Sequence, residues 1–483
     1  MSLLEARLLA AARQRPDAPL LHIGPRTLTG RDFEALVDST ARQWQRRGLG
    51  AGTLIGWLGH NSAEMLAGLL ACARLGAVFV PLNWRLAAPE LAAIARHAGL
   101  SALFNMPELQ ALADALRLLA PPAGPAEPAQ PGDVLLVYTS GTSGSPKGAV
   151  HTQAGMAANI DMALVVQGLT AADRVLAVLP MFHVGGLCIQ VLPALAAGAQ
   201  LRLQARFDAA TWLQDVAQWR PSTSLLVPAV MQALLAQPGW PQADLSSLRY
   251  VNSGSQVVPL ALIQAFHARG LPVTQVYGST ETGPVSIALL PDEALAHPGS
   301  VGRPAPGVRL RLMTPAGLEA AHGEVGEIQL QAPNLMRGYH RKPCGAGFVD
   351  GWFATGDLAR TDVDADGRIT VVGRSQDLII SGGENIHPAE IENLASTWPG
   401  VAEAAAVGLL DARWGEVPVL VLVAQAGQTI DLAGLQALFD QQLARFKHPR
   451  RTVLLGALPR SVLGKVQKAQ LATSLQTYLH NAA

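Results

Sequence analysis

Short apolar runs recur along the first part of the chain, each closed by small or polar residues. They include VLLVY (134–138), RVLAVLP (174–180), SLLVP (224–228), LRYVNSG (248–254) and VTQVYG (273–278). Their hydrophobicity is nearly continuous rather than alternating, as in strands buried on both faces. Helix-like segments separate them, such as ATWLQDVAQWR (210–220) and PLALIQAFHARG (259–270). This alternation implies βαβ units around a largely parallel sheet. Ligands bind such sheets at the carboxyl ends of the strands. The glycine-rich loop at 140–149, SGS (253–255) and GSTE (278–281) all lie at such ends.

The pattern changes near residue 300. VRLRLM (308–313) and EVGEIQLQA (324–332) alternate apolar and polar residues, the period of half-buried antiparallel strands. From about 377 a smaller unit begins. PAEIENLA (388–395) reads as a helix with Pro388 in its first turn, and VPVLVLVAQ (417–425) reads as a strand. DLAGLQALFDQQLARF (431–446) puts Leu432, Leu435, Phe439 and Leu443 on one helical face. The expectation is an α/β protein. A large N-terminal domain (1–376) carries βαβ-type sheets and a small β-barrel-like part; a small, mobile α+β C-terminal domain spans 377–483. LAPPAGPAEPAQPGD (119–133) is a proline-rich surface loop leading into the first loop-bearing strand.

Of 483 residues, 49% are hydrophobic and 15% charged, which suits a globular chain with ample core. Formal net charge is zero, so nothing suggests an electrostatic grip on nucleic acid or an anionic membrane. Cys72, Cys188 and Cys344 are far apart, which argues against a disulfide framework or a zinc site. MSLLEARLLAAARQRPDAPLL carries Glu5 and arginines inside its apolar run, so it reads as an amphipathic helix rather than a secretory signal. MLAGLLACARLGAVFVPL (65–82) contains Arg74 and Pro81, and reads as a buried helix and a strand rather than an integral membrane span. A cytoplasmic location is the expectation.

YTSGTSGSPKGA (138–149) has the composition of an anion cradle. Gly141, Gly144 and Gly148 let backbone amides turn toward a phosphate, hydroxyls add donors, and Lys147 adds charge. Pro146 precedes Lys147, so this is not the loop of the P-loop nucleotide hydrolases, and GxGxxG is absent too.

The loop resembles the signature of the adenylate-forming superfamily, and four further motifs of that family follow in order. They are YGSTE (277–281), WFATGD (352–357), GRSQDLIISGGENIHPAEIE (373–392) and LPRSVLGKVQK (458–468). Within it the chain looks most like bacterial fatty-acyl and feruloyl-type CoA ligases. It implies an acid–CoA ligase that uses ATP, Mg²⁺ and coenzyme A and passes through an acyl-AMP. It also implies roles. Thr139, Ser140, Gly141, Thr142, Ser143, Gly144 and Lys147 would cradle the β- and γ-phosphates. Mg²⁺ would sit on Glu281 with Thr280 beside it, and Lys465 would bridge the carboxylate and the α-phosphate. Tyr277 would stack on adenine; Gly254, Ser255 and Gly278 would shape its slot; Asp357 and Arg374 would serve the ribose and phosphate. Asp377 would be the hinge on which the C-terminal domain turns between half-reactions. Coenzyme A would meet Arg85, Gly382, Gly383, Trp414, Phe446, Lys447, His448 and Arg450.

PMFHVGGL (180–187) would open the acyl pocket, with His183 gating the thiol route. Phe182, Val184, Leu187, Ser253 and Pro284 would line it, and Gly185 and Gly186 would leave room for bulk. From Val175 to Ala205 there is no Asp or Glu to pair a substrate ammonium. The walls at 181–187 and 283–287 also lack Lys and Arg, so a second carboxylate would go unpaired. The expected partner is therefore a small-molecule carboxylic acid, a neutral apolar monocarboxylate that is either aryl or a medium or long fatty acid. A homodimer is compatible with the chain. Loading of a carrier protein instead of coenzyme A stays open, as does a non-catalytic nucleotide-binding relative.

Overall fold

The computed structural model describes residues 2–122, 129–139, 147–254, 258–343, 345–362, 367–381, 384–411, 413–461 and 464–481. Two large sheets form the N-terminal part. The six-stranded sheet runs in the order Gly338–Tyr339, Lys147–Thr152, Asp133–Thr139, Val78–Leu82, Leu54–Leu58, Ala102–Asn105. Its last four strands are parallel and its first three antiparallel, with Asp133–Thr139 shared between the two regimes. The nine-stranded sheet is parallel from Val273–Tyr277 through Tyr250–Gly254, Thr223–Leu226, Arg174–Ala177 and Gln200–Leu203 to Pro19–Ile23. Antiparallel strands flank it at both ends. Leu54–Leu58 and Val78–Leu82 are buried at every position, as their apolar runs predict, and Thr223–Leu226 is buried throughout with its Thr and Ser.

Helices Leu3–Gln14, Gly30–Arg46 and Ala63–Leu75 pack with both sheets into one core. Each begins on a Ser or Thr cap: Ser2, Thr29 and Ser62 accept from backbone N–H groups of the first turn. The expected membrane-unlike segment 65–82 is this buried helix and its following strand. No described helix is long and apolar enough to cross a membrane. Arg74 emerges from it to bind Glu5 at 2.7 Å and Asp38 at 2.5 Å, and Glu5 also meets Arg13 at 3.3 Å. Glu5 is only 2% exposed, so this network ties three helices at a buried carboxylate.

One expectation needs correction. The sequence places a glycine-rich loop over 140–149, at the carboxyl end of a strand. Lys147–Thr152 is instead a strand, antiparallel to Asp133–Thr139, with Thr139 opposite Lys147 and Tyr138 opposite Gly148. Arg337 clamps the base of this pair through Asp133, with contacts of 2.9 and 3.0 Å. Lys147 is thus fixed by a ladder. Residues 140–146 lie outside the described set.

An antiparallel sheet follows: Arg309–Met313, Gly326–Gln331, Trp352–Thr361 and Phe348–Val349, with Ile369–Arg374 on Trp352–Thr361. It stands where the barrel-like part was expected. The last sheet orders Glu384–Ile386, Ile379–Ser381, Gly415–Ala424 and Val401–Asp411, with Arg451–Leu454 parallel to Gly415–Ala424. Helices Pro388–Ser396, Leu432–Gln442 and Lys468–Asn481 complete this α+β unit. The middle helix is shorter than its periodicity suggested. Leu435 and Phe439 enter the core, but Leu432 is 39% exposed and Leu443 is already extended. Pro449 follows shortly and holds His448 in the extended region.

Burial raises the Glu5 carboxyl, but hydrogen bonding and charge from Arg74, with Arg13, overcome it and leave its pKa below the ordinary value. A depressed carboxyl stabilises the fold above its unfolded pKa and loses that contribution as pH falls through the folded value. Glu5→Ala should therefore lower stability by about 1–3 kcal/mol at neutral pH. The difference from the parent should shrink as pH drops below 4, measured by denaturant unfolding at several pH values.

Candidate active site

All five motifs contribute described residues to one cleft. Asp357 is its anchor. Trp352–Thr361 and Ile369–Arg374 pair so that Asp357 lies directly opposite Arg374. Arg374 Nε donates to Asp357 Oδ1 at 2.9 Å, and Tyr277 Oη donates to Oδ2 at 2.8 Å. The Asp357 carboxylate is thus oriented from both sides, and the Tyr277 ring is pinned by its hydroxyl. A β-bulge aims it. Glu327 faces Leu358 and Gln329 faces Ala354, so Thr355, Gly356 and Asp357 crowd against Ile328 alone. Gly356 takes φ +74°, which a side chain would resist, and Thr355 Oγ1 holds the Ile328 carbonyl at 2.9 Å.

Glu281 stands across the cleft. Tyr339 Oη donates to its Oε1 at 3.1 Å, and Lys147 Nζ lies 5.9 Å from the Tyr339 ring centre. The segment before Tyr339 braces the Glu281 loop as well. Asn334 is fully buried, and its Nδ2 donates to the carbonyls of Thr282 and Val285 at 2.9 and 3.0 Å. Thr280 is 5% exposed, and its backbone hydrogen-bonds the buried His151 ring, whose pKa burial lowers to about 4. Among the described residues no group of three His, Cys, Asp or Glu gathers as a metal cage.

Lys465 reaches this cleft from the C-terminal unit. Its loop is built as a clasp: Ser461 N donates to the Lys465 carbonyl at 2.8 Å, and Arg460 is tied to Glu403 at 2.6 Å. Lys468 meets Glu392 at 2.6 Å just beyond. Desolvation lowers the Lys465 pKa and the Arg374 charge adds to this, while Asp357 and Glu281 oppose it. His183 shares that environment. Burial lowers its imidazole to about 4, with Lys465 contributing. Its Nδ1 accepts from Gly185 N at 3.0 Å, so the neutral ring carries its proton on Nε2.

The purine-slot glycines have steric reasons. A Cβ on Gly254 would strike the Val276 carbonyl, and one on Gly278 would strike the Pro284 carbonyl. Ser253 is fully buried with Oγ 3.6 Å from Met231 Sδ. Phe182, Val184 and Leu187 pack into the main core, and Pro284 is buried. These residues form a packed floor rather than an open wall. Gly185 and Gly186 begin a π-helix, Gly185–Val191, and a Cβ on Gly186 would meet the Pro180 carbonyl. Gly186 therefore permits close packing, and the expectation that it leaves room for bulk is corrected. Asp377 ends a 3₁₀ turn, Ser375–Asp377, and its charge acts on Arg374. Ser140, Gly141, Thr142, Ser143, Gly144, Ser255, Gly382 and Gly383 lie outside the described residues.

The family model described as "AMP-binding enzyme" matches residues 8–340, and its C-terminal domain matches 390–465. The chain belongs to the AMP-binding enzymes. An indoleacetate–CoA ligase of Aromatoleum aromaticum is 42% identical, aligned over 94% of each chain. A feruloyl-CoA synthase of an Amycolatopsis species is 38% identical over 95% of this chain and 96% of its own. A solved anthranilate–CoA ligase with anthranoyl-AMP bound superposes with a TM-score of 0.91 at 25% identity, covering 99% of this chain and 98% of that one. This AMP-binding enzyme is an acid–thiol ligase of the adenylate-forming superfamily.

The residues expected to meet coenzyme A fall into separate groups in this AMP-binding enzyme. Trp414 is 37% exposed, with the Arg413 and Arg450 guanidinium groups 4.9 and 5.5 Å from its ring centre. Phe446 is exposed beside Lys447, which is paired with Glu390 at 2.7 Å. His448 turns inward, with Nε2 3.0 Å from the Leu443 carbonyl. Arg85 lies with Trp84 and Phe182 on the N-terminal part. Sequence reasoning missed Tyr339, Asn334 and His151. Each acts through a contact remote in sequence, and no local pattern marks it.

Gly278→Ala should cost about 1–3 kcal/mol, because its Cβ can be accommodated only by moving backbone. Equilibrium denaturation would read this directly, and a loss of ATP affinity should accompany it through the neighbouring Tyr277.

Proposed function

We propose that this enzyme is an ATP-dependent acid–CoA ligase that works through an acyl-AMP, releasing pyrophosphate and then AMP, on a neutral apolar monocarboxylate. The observation that carries the reading is Lys465, a desolvated cation from the C-terminal unit in the field of Asp357 and Glu281. In the first half-reaction a carboxylate oxygen attacks the α-phosphorus and pyrophosphate leaves. Two anions must meet, so fixed positive charge at the developing bond lowers the barrier. Lys465 would supply it. Asp357 would accept from the ribose hydroxyls, Tyr277 would stack on adenine between Gly254 and Gly278, and Arg374 would steady both ribose and phosphate. Thr139 and Lys147 would hold the outer phosphates with the rest of their loop.

Glu281, with Thr280, would hold Mg²⁺. One carboxylate with an oxygen beyond the Tyr339 contact suits a cation that takes its other ligands from phosphates and water. Bound there, Mg²⁺ would neutralise charge on the phosphates.

In the second half-reaction the thiol attacks the acyl carbonyl and AMP leaves. We place the hinge at Asp377, with domains 1–376 and 377–483. Rotation there would withdraw Lys465 and bring Trp414, Phe446, Lys447, His448 and Arg450 toward Arg85. His183, neutral and donating from Nε2, would stand at the thiol's entry. For the acid, the packed floor of Phe182, Val184, Leu187, Ser253 and Pro284 carries no charge. The acids named for the indoleacetate and feruloyl relatives support an aryl acid over a fatty one.

One reaction with ATP, Mg²⁺, coenzyme A and pooled aryl-acetic, cinnamic, benzoic and fatty acids tests this. Mass spectrometry should find an aryl acyl-CoA with matching AMP. Acyl-AMP without acyl-CoA would overturn the acceptor, and no product would overturn the reading. Lys465→Ala should slow acid-dependent pyrophosphate exchange about 100-fold or more, yet still convert supplied acyl-AMP to thioester. Only the ammonium form serves, and its pKa lies below the ordinary 10.5. Exchange should therefore hold at neutral pH and fall as pH rises through that lowered value.

A further inference from the structure

The two large sheets meet at a rim formed by the carboxyl ends of four parallel strands. Leu54–Leu58 leads to His60 and Asn61, and Val78–Leu82 leads to Trp84 and Arg85. From the other sheet, Arg174–Ala177 leads to Phe182 and His183, and Gln200–Leu203 leads to Arg206. Asn61 rivets these ends together. Its side chain is 4% exposed, its Nδ2 donates to the Leu179 and Gln204 carbonyls at 2.9 and 3.1 Å, and its Oδ1 accepts from Met181 N at 2.8 Å. Its backbone N–H also donates to the Ala205 carbonyl at 3.3 Å. The position of Arg206 is therefore locked to the segment that carries His183.

Trp84 is the centre of the rim. The Arg85 guanidinium lies 5.2 Å from its ring centre and the exposed Arg206 guanidinium 5.8 Å. Arg85 also lies 5.8 Å from the Phe182 ring centre. His60 packs edge-on to Trp84 at 4.5 Å and faces Glu108 at 3.2 Å. Two cations share one indole; desolvation, and then repulsion from Arg206, lowers the Arg85 pKa. Among the described residues no carboxylate pairs with Arg206. An anion between the guanidinium groups would relieve that repulsion. Planar forks oriented on an aromatic face suit phosphate oxygens. The patch opens outward, one short segment from His183. A ligand there needs a charged outer end and a reactive group that reaches inward.

We propose that Arg206 is a further phosphate-binding residue for the thiol substrate, acting with Arg85 across Trp84 to hold the phosphates of coenzyme A. This rests on the acid–CoA ligase reading above. Arg206 touches neither ATP nor the acid in it, so the adenylation half should not notice its loss.

The test compares the parent enzyme, Arg206→Ala and Arg206→Lys at low ionic strength, with coenzyme A, dephospho-coenzyme A and pantetheine as thiols. Arg206→Ala should raise KM for coenzyme A about ten-fold with kcat and pyrophosphate exchange unchanged, and Arg206→Lys should recover part of it. Added salt should weaken the parent's use of coenzyme A more than the variant's. If the 3′-phosphate is held, the parent's preference for coenzyme A over dephospho-coenzyme A should vanish in Arg206→Ala. If the diphosphate is held, both nucleotide thiols should weaken together while pantetheine is used equally by parent and variant. An unchanged KM for coenzyme A in Arg206→Ala would overturn the proposal alone. A parent that exchanges pyrophosphate but makes no thioester with coenzyme A would overturn it together with the acceptor reading.

Discussion

A lysine without bulk water around it tends to lose its charge, and the rest of the cleft is arranged around that fact. Lys465 is desolvated and lies near another cation, Arg374, so its charge depends on Asp357 and Glu281. Asp357 lies in the antiparallel sheet, and Glu281 in the turn that follows Val273–Tyr277 of the nine-stranded sheet. Asp357 is fixed by a cross-strand arginine and a tyrosine, and Glu281 by a tyrosine from a third strand. The C-terminal unit brings the lysine. The N-terminal part supplies the field, and docking of the two units creates the charged site. A cation delivered by a separate unit can also be taken away, which is what two successive reactions on one acyl group would require.

Periodicity and composition carried most of the architecture. The buried parallel strands could be read because both faces are covered, which leaves unbroken apolar runs. The antiparallel region was legible for the opposite reason: one half-exposed face imposes a period of two. The hairpin of Lys147–Thr152 on Asp133–Thr139 was not legible. KGAVHT is a plausible strand, but glycine and hydroxyl residues before it masked where the loop ends. The helix starting at Leu432 is over-read because its apolar spacing continues to Leu443, where the backbone is already extended.

The site divides the same way. Asp357, Arg374, Tyr277, Glu281 and Lys465 lie in short motifs whose spacing is visible along the chain. Their supports are not. Tyr339, Asn334 and Asn61 make contacts across 58, 52 and 120 residues of sequence. Nothing local distinguishes a tyrosine that orients a carboxylate from one that fills a core. Gly186 shows the reverse error. A glycine next to a pocket motif suggests space, whereas this one lets a helix press against a carbonyl.

The bulge at Thr355–Asp357 has a consequence for how this strand can change. Side chains alternate along Trp352–Thr361, and the two extra residues opposite Ile328 keep Phe353 and Ala359 in phase on either side of the bulge. The bulge is what puts Asp357 in the cleft while Phe353 and Ala359 still face the interior. A substitution nearby alters one contact. A deletion or insertion of one residue would turn half the strand over, driving the carboxylate into hydrocarbon and exposing core. In this stretch length is as constrained as the identities of Gly356 and Asp357.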